Sequence, residues 1–493
     1  MKSFNLNWRF IIRVIGSILG IESLFIFLSA AISFYFHEWV FEYLIISGGI
    51  CLTTSILLLY MGSAFSKSSL KKDNIGKREG FITVTGSWMA FACFGTIPFY
   101  ISGAIPSLAD AFFETMSGLT TTGSTILTDI EALPKGLLFW RSLTQWLGGM
   151  GMIVFSLALL PLLGGGASQL FDAETTGITH DKFRPRAGQV AKRLWGIYAG
   201  LTGILVVLLY LGPMSLFDAL CHSLTTMSTG GYSTKQSSIS YWNSAYVDYI
   251  VIIFMFIGSI NFSLIYFFFK GNFKKVLKDE ELRWFTSIVV VVSLILTVTL
   301  VSDDIAQGHL SSLRSALFQV VSIISSSGFA TGDYVAWGHS YSIIFVFLMM
   351  VCGCAGSTSG GLKTIRLVVL SKNTINEFRK QIHPRAIMPV RVNGSALPMN
   401  VVQKIVAFSF LYISIILLSW LFLSLTGLNL EEALGASVTA ISNAGPGLGQ
   451  NGPSGNFANI SDVSKWYMSF LMLVGRLEIF TVLVLFTPGF WKE

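Results

Sequence analysis

DAFFETMSGLTTTGS, residues Asp110–Ser124, is too polar to cross a bilayer and too apolar for an ordinary loop. Its pattern returns three times, as DALCHSLTTMSTGGY from Asp218, SALFQVVSIISSSGF from Ser315 and EALGASVTAISNAGP from Glu432. With Gly123, Gly231, Gly328 and Gly445 at position zero, an alanine stands twelve residues earlier each time: Ala111, Ala219, Ala316 and Ala433. A hydroxyl stands six residues earlier (Ser117, Thr225, Ser322, Thr439) and again three residues earlier (Thr120, Ser228, Ser325, Ser442). Between them, four residues before each glycine, the position is apolar: Leu119, Met227, Ile324 and Ile441. No gaps are needed. One Ser/Thr/Gly run is common loop composition, but a fourfold recurrence is an internal repeat and sets the architecture.

The pattern reads as a re-entrant pore loop. About ten residues before each glycine, from Asp110, Asp218, Ser315 and Glu432, form a short helix, and an acid at its start suits the positive helix end. The chain then returns as extended backbone. At membrane depth such backbone is tolerated only inside protein or beside a water-filled cavity. Glycine admits the φ values that let successive carbonyls point to one axis. Four such carbonyl sets can replace the hydration shell of a cation. The negative C-terminal ends of the four short helices favour the same ion. The residues therefore point to a dehydrated monovalent cation.

The surroundings of the repeats fit a membrane. Of 493 residues 53% are hydrophobic and 12% charged, with a mean hydropathy of +0.66. A soluble domain averages about 25% charged. This composition excludes a disordered chain, a collagen-like fibre and a disulfide-rich secreted module. Ten apolar stretches approach the ~20 residues a spanning helix needs: near 10–36, 41–63, 81–103, 138–163, 194–212, 248–269, 285–302, 341–370, 403–426 and 466–487. The first is longer than a signal-peptide core and is followed closely by a second, so it reads as a retained helix. The expected fold is an all-α polytopic membrane protein. It comprises an N-terminal helix pair (1–80) and four membrane–pore loop–membrane repeats (81–193, 194–284, 285–402 and 403–493) around a pseudo-four-fold pore.

The net charge of +7 is unevenly spread. The segments 64–80, 164–193, 270–284 and 371–402 hold most of the lysines and arginines, on the side that also carries both termini. By the positive-inside rule that side is cytoplasmic. The opposite side holds five bases (Lys135, Arg141, Lys235, Arg314, Lys465) among acids such as Asp110, Glu114, Glu131 and Asp248. An acidic outer face raises the local cation concentration; ordinary loop solvation accounts for the same residues. Lys363, Arg366 and Arg476 fall within the membrane.

Nothing in the sequence suggests an enzyme. The five cysteines, Cys51, Cys93, Cys221, Cys352 and Cys354, lie in or beside apolar stretches with neither disulfide nor zinc spacing. The six histidines lack metal spacing, and His222 in the second short helix reads as structural. There is no G-x-G-x-x-G after a strand and no Walker A motif, so no organic cofactor is expected. A transporter that couples cation entry to protons or sodium needs intramembrane carboxylates or histidines. Glu22 and Glu478 alone qualify, and Glu22 lies outside the repeats.

Two further features bear on control. Gly353, Gly356, Gly360 and Gly361, with Ser357, Thr358 and Ser359 between, interrupt the second helix of the third repeat. Each helix-interior glycine costs about 1 kcal/mol relative to alanine, so the helix breaks here into a flap beneath the loops. Close packing through small residues is the alternative. Lys363 follows directly, either at the flap or snorkelling to the interface. Arg476 stands about ten residues into the last span. An arginine at helix centre costs about 2.5–3.5 kcal/mol and faces a cavity or a partner. A pore-facing position below the filter, limiting flux and pairing with the flap, is the favoured reading; a structural ion pair is the other.

These motifs resemble the Trk/Ktr/HKT superfamily of potassium transport proteins. Matching stretches include Thr121-Thr122-Gly123-Ser124, Ser228-Thr229-Gly230-Gly231-Tyr232-Ser233, Ser326-Ser327-Gly328-Phe329 and Asn443-Ala444-Gly445-Pro446. Trp146–Gly151, Cys354–Gly361, His383-Pro384-Arg385 and Gly475-Arg476-Leu477-Glu478 also fit. The two extra N-terminal helices make the chain most similar to the bacterial Trk-type membrane subunit. The resemblance implies a potassium filter made by Thr121, Thr122, Gly123, Thr229, Gly230, Gly231, Ser326, Ser327, Gly328, Asn443, Ala444 and Gly445. It implies potassium rather than sodium, because glycine rather than serine stands at 123. The departure of the fourth repeat from the first points to modest sodium discrimination. It also implies a gate formed by Gly356, Ser357, Thr358, Ser359, Gly360 and Gly361 with Lys363 and Arg476. Finally it implies a homodimer in a bacterial cytoplasmic membrane, docked to a cytosolic ring of nucleotide-binding regulatory subunits of the Trk A type.

Overall fold

The computed structural model describes residues 6–64, 76–158, 187–303 and 308–491. Much of the basic segments 64–80 and 164–193 lies outside those residues. Helices α1 (Trp8–Tyr35) and α2 (Phe41–Ala64) form the N-terminal pair. Their faces meet through small residues: Ser55 Oγ donates to Gly16 O at 2.6 Å and Cys51 Sγ to Leu19 O at 3.2 Å. Cys51 is buried as a small apolar side chain that finds a carbonyl.

The first repeat runs α3 (Lys77–Ile101), the short α4 (Leu108–Leu119) and α5 (Lys135–Ala158). The second runs α6 (Ala187–Tyr210), the short α7 (Leu216–Met227), then α8 (Ala245–Gly258) and α9 (Phe262–Phe269). A one-and-a-half-turn α10 (Phe273–Lys278) leads into the third: α11 (Glu280–Ser302), the short α12 (His309–Ile324), α13 (His339–Met350) and α14 (Thr364–Ile382). The fourth runs α15 (Met399–Leu425), the short α16 (Leu430–Ser442), α17 (Asp462–Arg476) and α18 (Ile479–Leu483). The short helices begin earlier than expected, by two residues in three repeats and by six in the third. In the first, second and fourth repeats the reason is capping. Ser107 and Ser215 accept from the backbone N–H of Asp110 and Asp218, and Asn429 forms a capping box with Glu432.

Among the described residues, six helices are long and apolar enough to cross a membrane: α1, α2, α3, α6, α11 and α15. Two expected spans, 248–269 and 466–487, are not continuous. The first bends by 106° between α8 and α9, the second by 114° after Arg476. The 341–370 stretch breaks at Val351–Lys363, where two residue pairs form a short parallel ladder, Val351 with Leu362 and Cys352 with Lys363.

Two of these breaks complete each other. A broken helix leaves backbone groups without partners. Cys354 N donates to Ser259 O at 2.9 Å, Thr358 N to Gly258 O at 3.3 Å, and Phe262 N to Gly356 O at 3.1 Å. The kink between α8 and α9 is thus sealed by the interrupted third-repeat segment. Asn261 adds an N-cap for α9 by accepting from Ser263 N at 2.8 Å. In sequence Ser259-Ile260-Asn261 has no break signal of glycine strength, which is why a straight span was expected there.

The repeated alanines Ala111, Ala219, Ala316 and Ala433 are fully buried, as are the apolar residues Met227 and Ile324. The twelve-residue offset in the repeat therefore records a packing face. The helices around it supply one continuous apolar core.

Candidate functional site: a four-loop filter over an interrupted helix

At the C-terminal end of each short helix the backbone turns left-handed. The residue two before the repeat glycine has a positive φ in all four cases: Thr121 (53°), Thr229 (53°), Ser326 (59°) and Asn443 (53°). None is glycine, and such angles are uncommon for the Thr and Ser that hold three of the positions, while asparagine adopts them more readily. The strain is held by repeated hydrogen bonds. Thr122 N donates to Ser117 O at 2.8 Å, Gly230 N to Thr225 O at 2.9 Å, Gly328 N to Ser322 O at 3.1 Å and Ala444 N to Thr439 O at 3.1 Å.

The hydroxyl at position minus six has a job in three of the four repeats. Ser117 Oγ donates to Ser124 O at 2.6 Å, Ser322 Oγ to Phe329 O at 2.6 Å, and Thr439 Oγ1 to Pro446 O at 2.9 Å. In the second repeat Thr225 turns to helix carbonyls instead. Gln145 takes over there, with Nε2 donating to Gly230 O at 2.7 Å and Oε1 accepting from Tyr232 N at 3.0 Å.

The four glycines close a ring. A Cβ at Gly123 would collide with the carbonyl oxygen of Gly230, and one at Gly231 with that of Ser327. A Cβ at Gly328 would lie 2.7 Å from Pro446 Cδ and 3.1 Å from Gly445 Cα. A Cβ at Gly445 would lie 3.1 Å from Thr122 O, returning to the first loop. Each glycine faces the next repeat, and all four line one polar cavity with Arg141 and Lys235 at its rim. Among the described residues, no protein donor reaches the carbonyls of Thr121, Thr122, Thr229, Ser326, Ser327, Asn443 or Ala444. Gly123, Gly231 and Gly328 have φ of 88°, 76° and 78°. Gly445 does not share this conformation, so only three of the four glycines meet the expectation of a special φ. Instead Gly445 O accepts from Ser124 Oγ at 2.9 Å.

Beneath the ring lies the interrupted segment. Thr358 Oγ1 donates to Met227 O at 3.2 Å and accepts from Thr229 Oγ1 at 3.2 Å. Gly360 N donates to Ser326 Oγ at 3.0 Å, and a Cβ at Gly360 would strike Ser442 O. Ser357 Oγ and Ser359 Oγ are 2.7 Å apart, and Gly356 and Gly361 have φ of 69° and 61°. The segment therefore touches the undersides of the second, third and fourth loops. Lys363 is buried with its Nζ turned back to Ser359 O, so it does not snorkel to the interface. Arg476 is also buried: Nη1 donates to Thr358 O at 2.7 Å and Nη2 to Gly148 O at 3.1 Å.

Several partnerships are absent from the sequence reading. Glu281 falls in the basic segment 270–284, yet it is buried and accepts from Ala355 N at 2.7 Å and Ile365 N at 3.0 Å, holding both ends of the interrupted segment. Arg366 forms a 2.5 Å ion pair with Glu478 and lies 3.9 Å over the Phe408 ring. Glu114 and Arg141, counted as outer-face charges, form a buried pair at 2.6 Å. Lys465 pairs with Asp110 at 2.5 Å, Arg314 with Asp248 at 3.3 Å and Lys235 with Glu131 at 2.9 Å. Four of the five bases assigned to the outer face are thus paired with acids. Only burial and long-range pairing reveal these partners, and no local spacing encodes them.

A family model described as TrkH, a cation transport protein, matches residues 49–492. The chain belongs to the TrkH family. It is 36% identical over 494 residues to the Trk system potassium uptake protein TrkH of Vibrio parahaemolyticus, covering 99% of this chain and all of that one. It is 38% identical over 427 residues to the protein of that name from Escherichia coli K12, covering 86% of this chain and 88% of that one. The crystal structure of the potassium transporter TrkH from Vibrio parahaemolyticus superimposes with a TM-score of 0.89, at 34% identity and covering 99% of this chain. That match confirms the fold, and its extent places the chain among membrane transport proteins rather than enzymes. In this TrkH-family chain Gly123, Gly231, Gly328 and Gly445 meet around one cavity, and Thr358 and Gly360 of the interrupted segment pack against the loops, with Arg476 bonded to Thr358.

Proposed function

We propose that this chain carries potassium inward across a bacterial cytoplasmic membrane, passively and channel-like, through the four-loop ring. The ring closure among Gly123, Gly231, Gly328 and Gly445 carries the reading. Among the described residues, backbone carbonyls from all four repeats have no protein donor, and such carbonyls replace the water around a dehydrated cation. Thr121, Thr122, Thr229, Gly230, Ser326, Ser327, Asn443 and Ala444 complete the filter. Rubidium passes by the same route. The segment Gly356–Gly361, with Lys363, closes the path from below, and Arg476 sets a fixed positive charge against cations leaving the filter. The names of the relatives, potassium uptake proteins of Trk systems, support the choice of ion.

Coupled transport finds little support. Glu478 is tied to Arg366, and Glu22 sits on α1 outside the repeats. Both termini and the basic segments face the cytoplasm, where they receive a nucleotide-binding regulatory ring. The functional unit is a homodimer with one pore per protomer. Flux assays in liposomes with potassium, rubidium and sodium test the proposal. A current reversing at the potassium equilibrium potential is expected; strict dependence on a proton or sodium gradient overturns it.

A further inference from the structure

A second cavity, of about 410 Å³, lies far from the axis between α6 and α9. Its floor is formed by Gly196 and Gly200, its walls by Leu201, Ile204 and Phe269, and its mouth by Arg193, Tyr266 and Lys270. The two glycines are one helical turn apart in the interior of a spanning helix, where each weakens the helix. Close packing normally accounts for such glycines. Here it does not, because a Cβ at Gly196 or Gly200 would meet nothing within 4 Å. Among the described residues, nothing in this chain fills the furrow.

The mouth indicates what fits there. Arg193 Nη1 donates to Tyr266 OH at 3.2 Å, and Lys270 Nζ lies 4.8 Å from the Tyr266 ring centroid, so two cations gather about one phenol. Neither has a carboxylate at ion-pair distance among the described residues. The cations stand at the basic end of α6 and α9, with Lys192, Lys274 and Lys278 nearby in sequence. The apolar walls run from there toward the bilayer centre.

We infer that this furrow binds one anionic phospholipid, its phosphate at Arg193, Lys270 and the Tyr266 hydroxyl and an acyl chain along Gly196 and Gly200. Basic pockets between spanning helices on the cytoplasmic side recognise such headgroups. The other candidate, a helix of a second copy packed on the Gly196-x-x-x-Gly200 face, brings uncompensated cations of both copies together with no acid to offset them. The lipid satisfies both the charge and the shape.

The test uses the full-length purified protein and native mass spectrometry. Phosphatidylglycerol, phosphatidylcholine and inorganic phosphate are titrated separately. Wild type is expected to retain phosphatidylglycerol over phosphatidylcholine, with no competition from inorganic phosphate. Arg193→Gln/Lys270→Gln is expected to lower that preference about thirtyfold, two basic residues being removed from an anionic surface. Gly200→Leu keeps both cations and fills the furrow, and it too is expected to lose the lipid. Equal retention of the two lipids, or unchanged retention in both variants, overturns the inference. So does a Gly200→Leu protein that keeps its lipid but changes its oligomeric state, which assigns the face to a second copy. Thermal unfolding of each variant distinguishes loss of the site from loss of the fold.

Discussion

Arg476 Nη1 donates a 2.7 Å hydrogen bond to the carbonyl oxygen of Thr358, joining the end of α17 to the middle of the interrupted third-repeat helix. The bond links two of the three sharp breaks in the fold. Nη2 reaches Gly148 O on α5, so one guanidinium spans three repeats. Both bonds go to carbonyls, and among the described residues no carboxylate lies at ion-pair distance from it. In the proposed gating role, a positive charge there repels cations while holding the segment in place. Arg476→Ala is therefore expected to raise rubidium influx several-fold in proteoliposomes at equal protein density. Unchanged or reduced influx, with normal folding, removes Arg476 from the gating role.

The filter glycines make a sharper prediction. A Cβ at Gly123 or Gly231 would occupy the place of a neighbouring loop's carbonyl oxygen, and both glycines hold φ values that side chains resist. Gly123→Ser and Gly231→Ser should displace that carbonyl and lower the preference for potassium over sodium. Reversal potentials under bi-ionic conditions report it. A selectivity equal to wild type in both variants would falsify the filter assignment.

Gly445 should behave differently. It lacks the positive φ of its three counterparts, and its added Cβ would meet ordinary if tight neighbours, the nearest being Thr122 O at 3.1 Å. Gly445→Ala is expected to keep more potassium flux than Gly231→Ala. The reverse order shows that the asymmetry of the fourth loop is not carried by this glycine.

The fourfold repeat was readable because it is local. A hydroxyl six residues before each glycine and an alanine twelve before are spacings along one short helix and its return, and three of the four hydroxyls bond as that spacing allows. The kink at Ser259–Asn261 was not readable, since its freed backbone groups are satisfied by Cys354, Gly356 and Thr358, about a hundred residues away. The partners of Glu281, Arg366 and Glu478 were not readable for the same reason: only the tertiary fold brings them near. Arg476 was singled out because an arginine in an apolar run is costly wherever it points.

The hydroxyl network yields a comparative test. Ser322 Oγ ties the third loop to Phe329 O, whereas Thr225 bonds only carbonyls of its own helix. A buried hydrogen bond contributes about 1 kcal/mol, and an orphaned carbonyl adds to the loss. Ser322→Ala should lower thermal stability and potassium selectivity more than Thr225→Val. Equal effects would mean that the repeated hydroxyl serves the helix rather than the loop.

The Glu114–Arg141 pair makes the last prediction one of stability. Arg141 Nε is 2.6 Å from Glu114 Oε1, and both side chains are essentially buried. Glu114 also accepts from Thr125 Oγ1 and Ile126 N at 3.0 Å, while Arg141 donates to Ser233 O at 2.9 Å and lies 3.4 Å over the Tyr232 ring. The pair thus fastens the return strands of the first and second loops just outside the ring. Removing one partner strands a buried charge, at a cost of about 3–5 kcal/mol. The exposed pair Lys235–Glu131, at a comparable 2.9 Å, is worth about 1 kcal/mol or less. Arg141→Met should therefore lower the melting temperature in detergent far more than Lys235→Met. Glu114→Gln/Arg141→Met, with no net charge left unpaired, should recover part of the loss. Equal shifts for Arg141→Met and Lys235→Met would show that the buried pair does not anchor the loops.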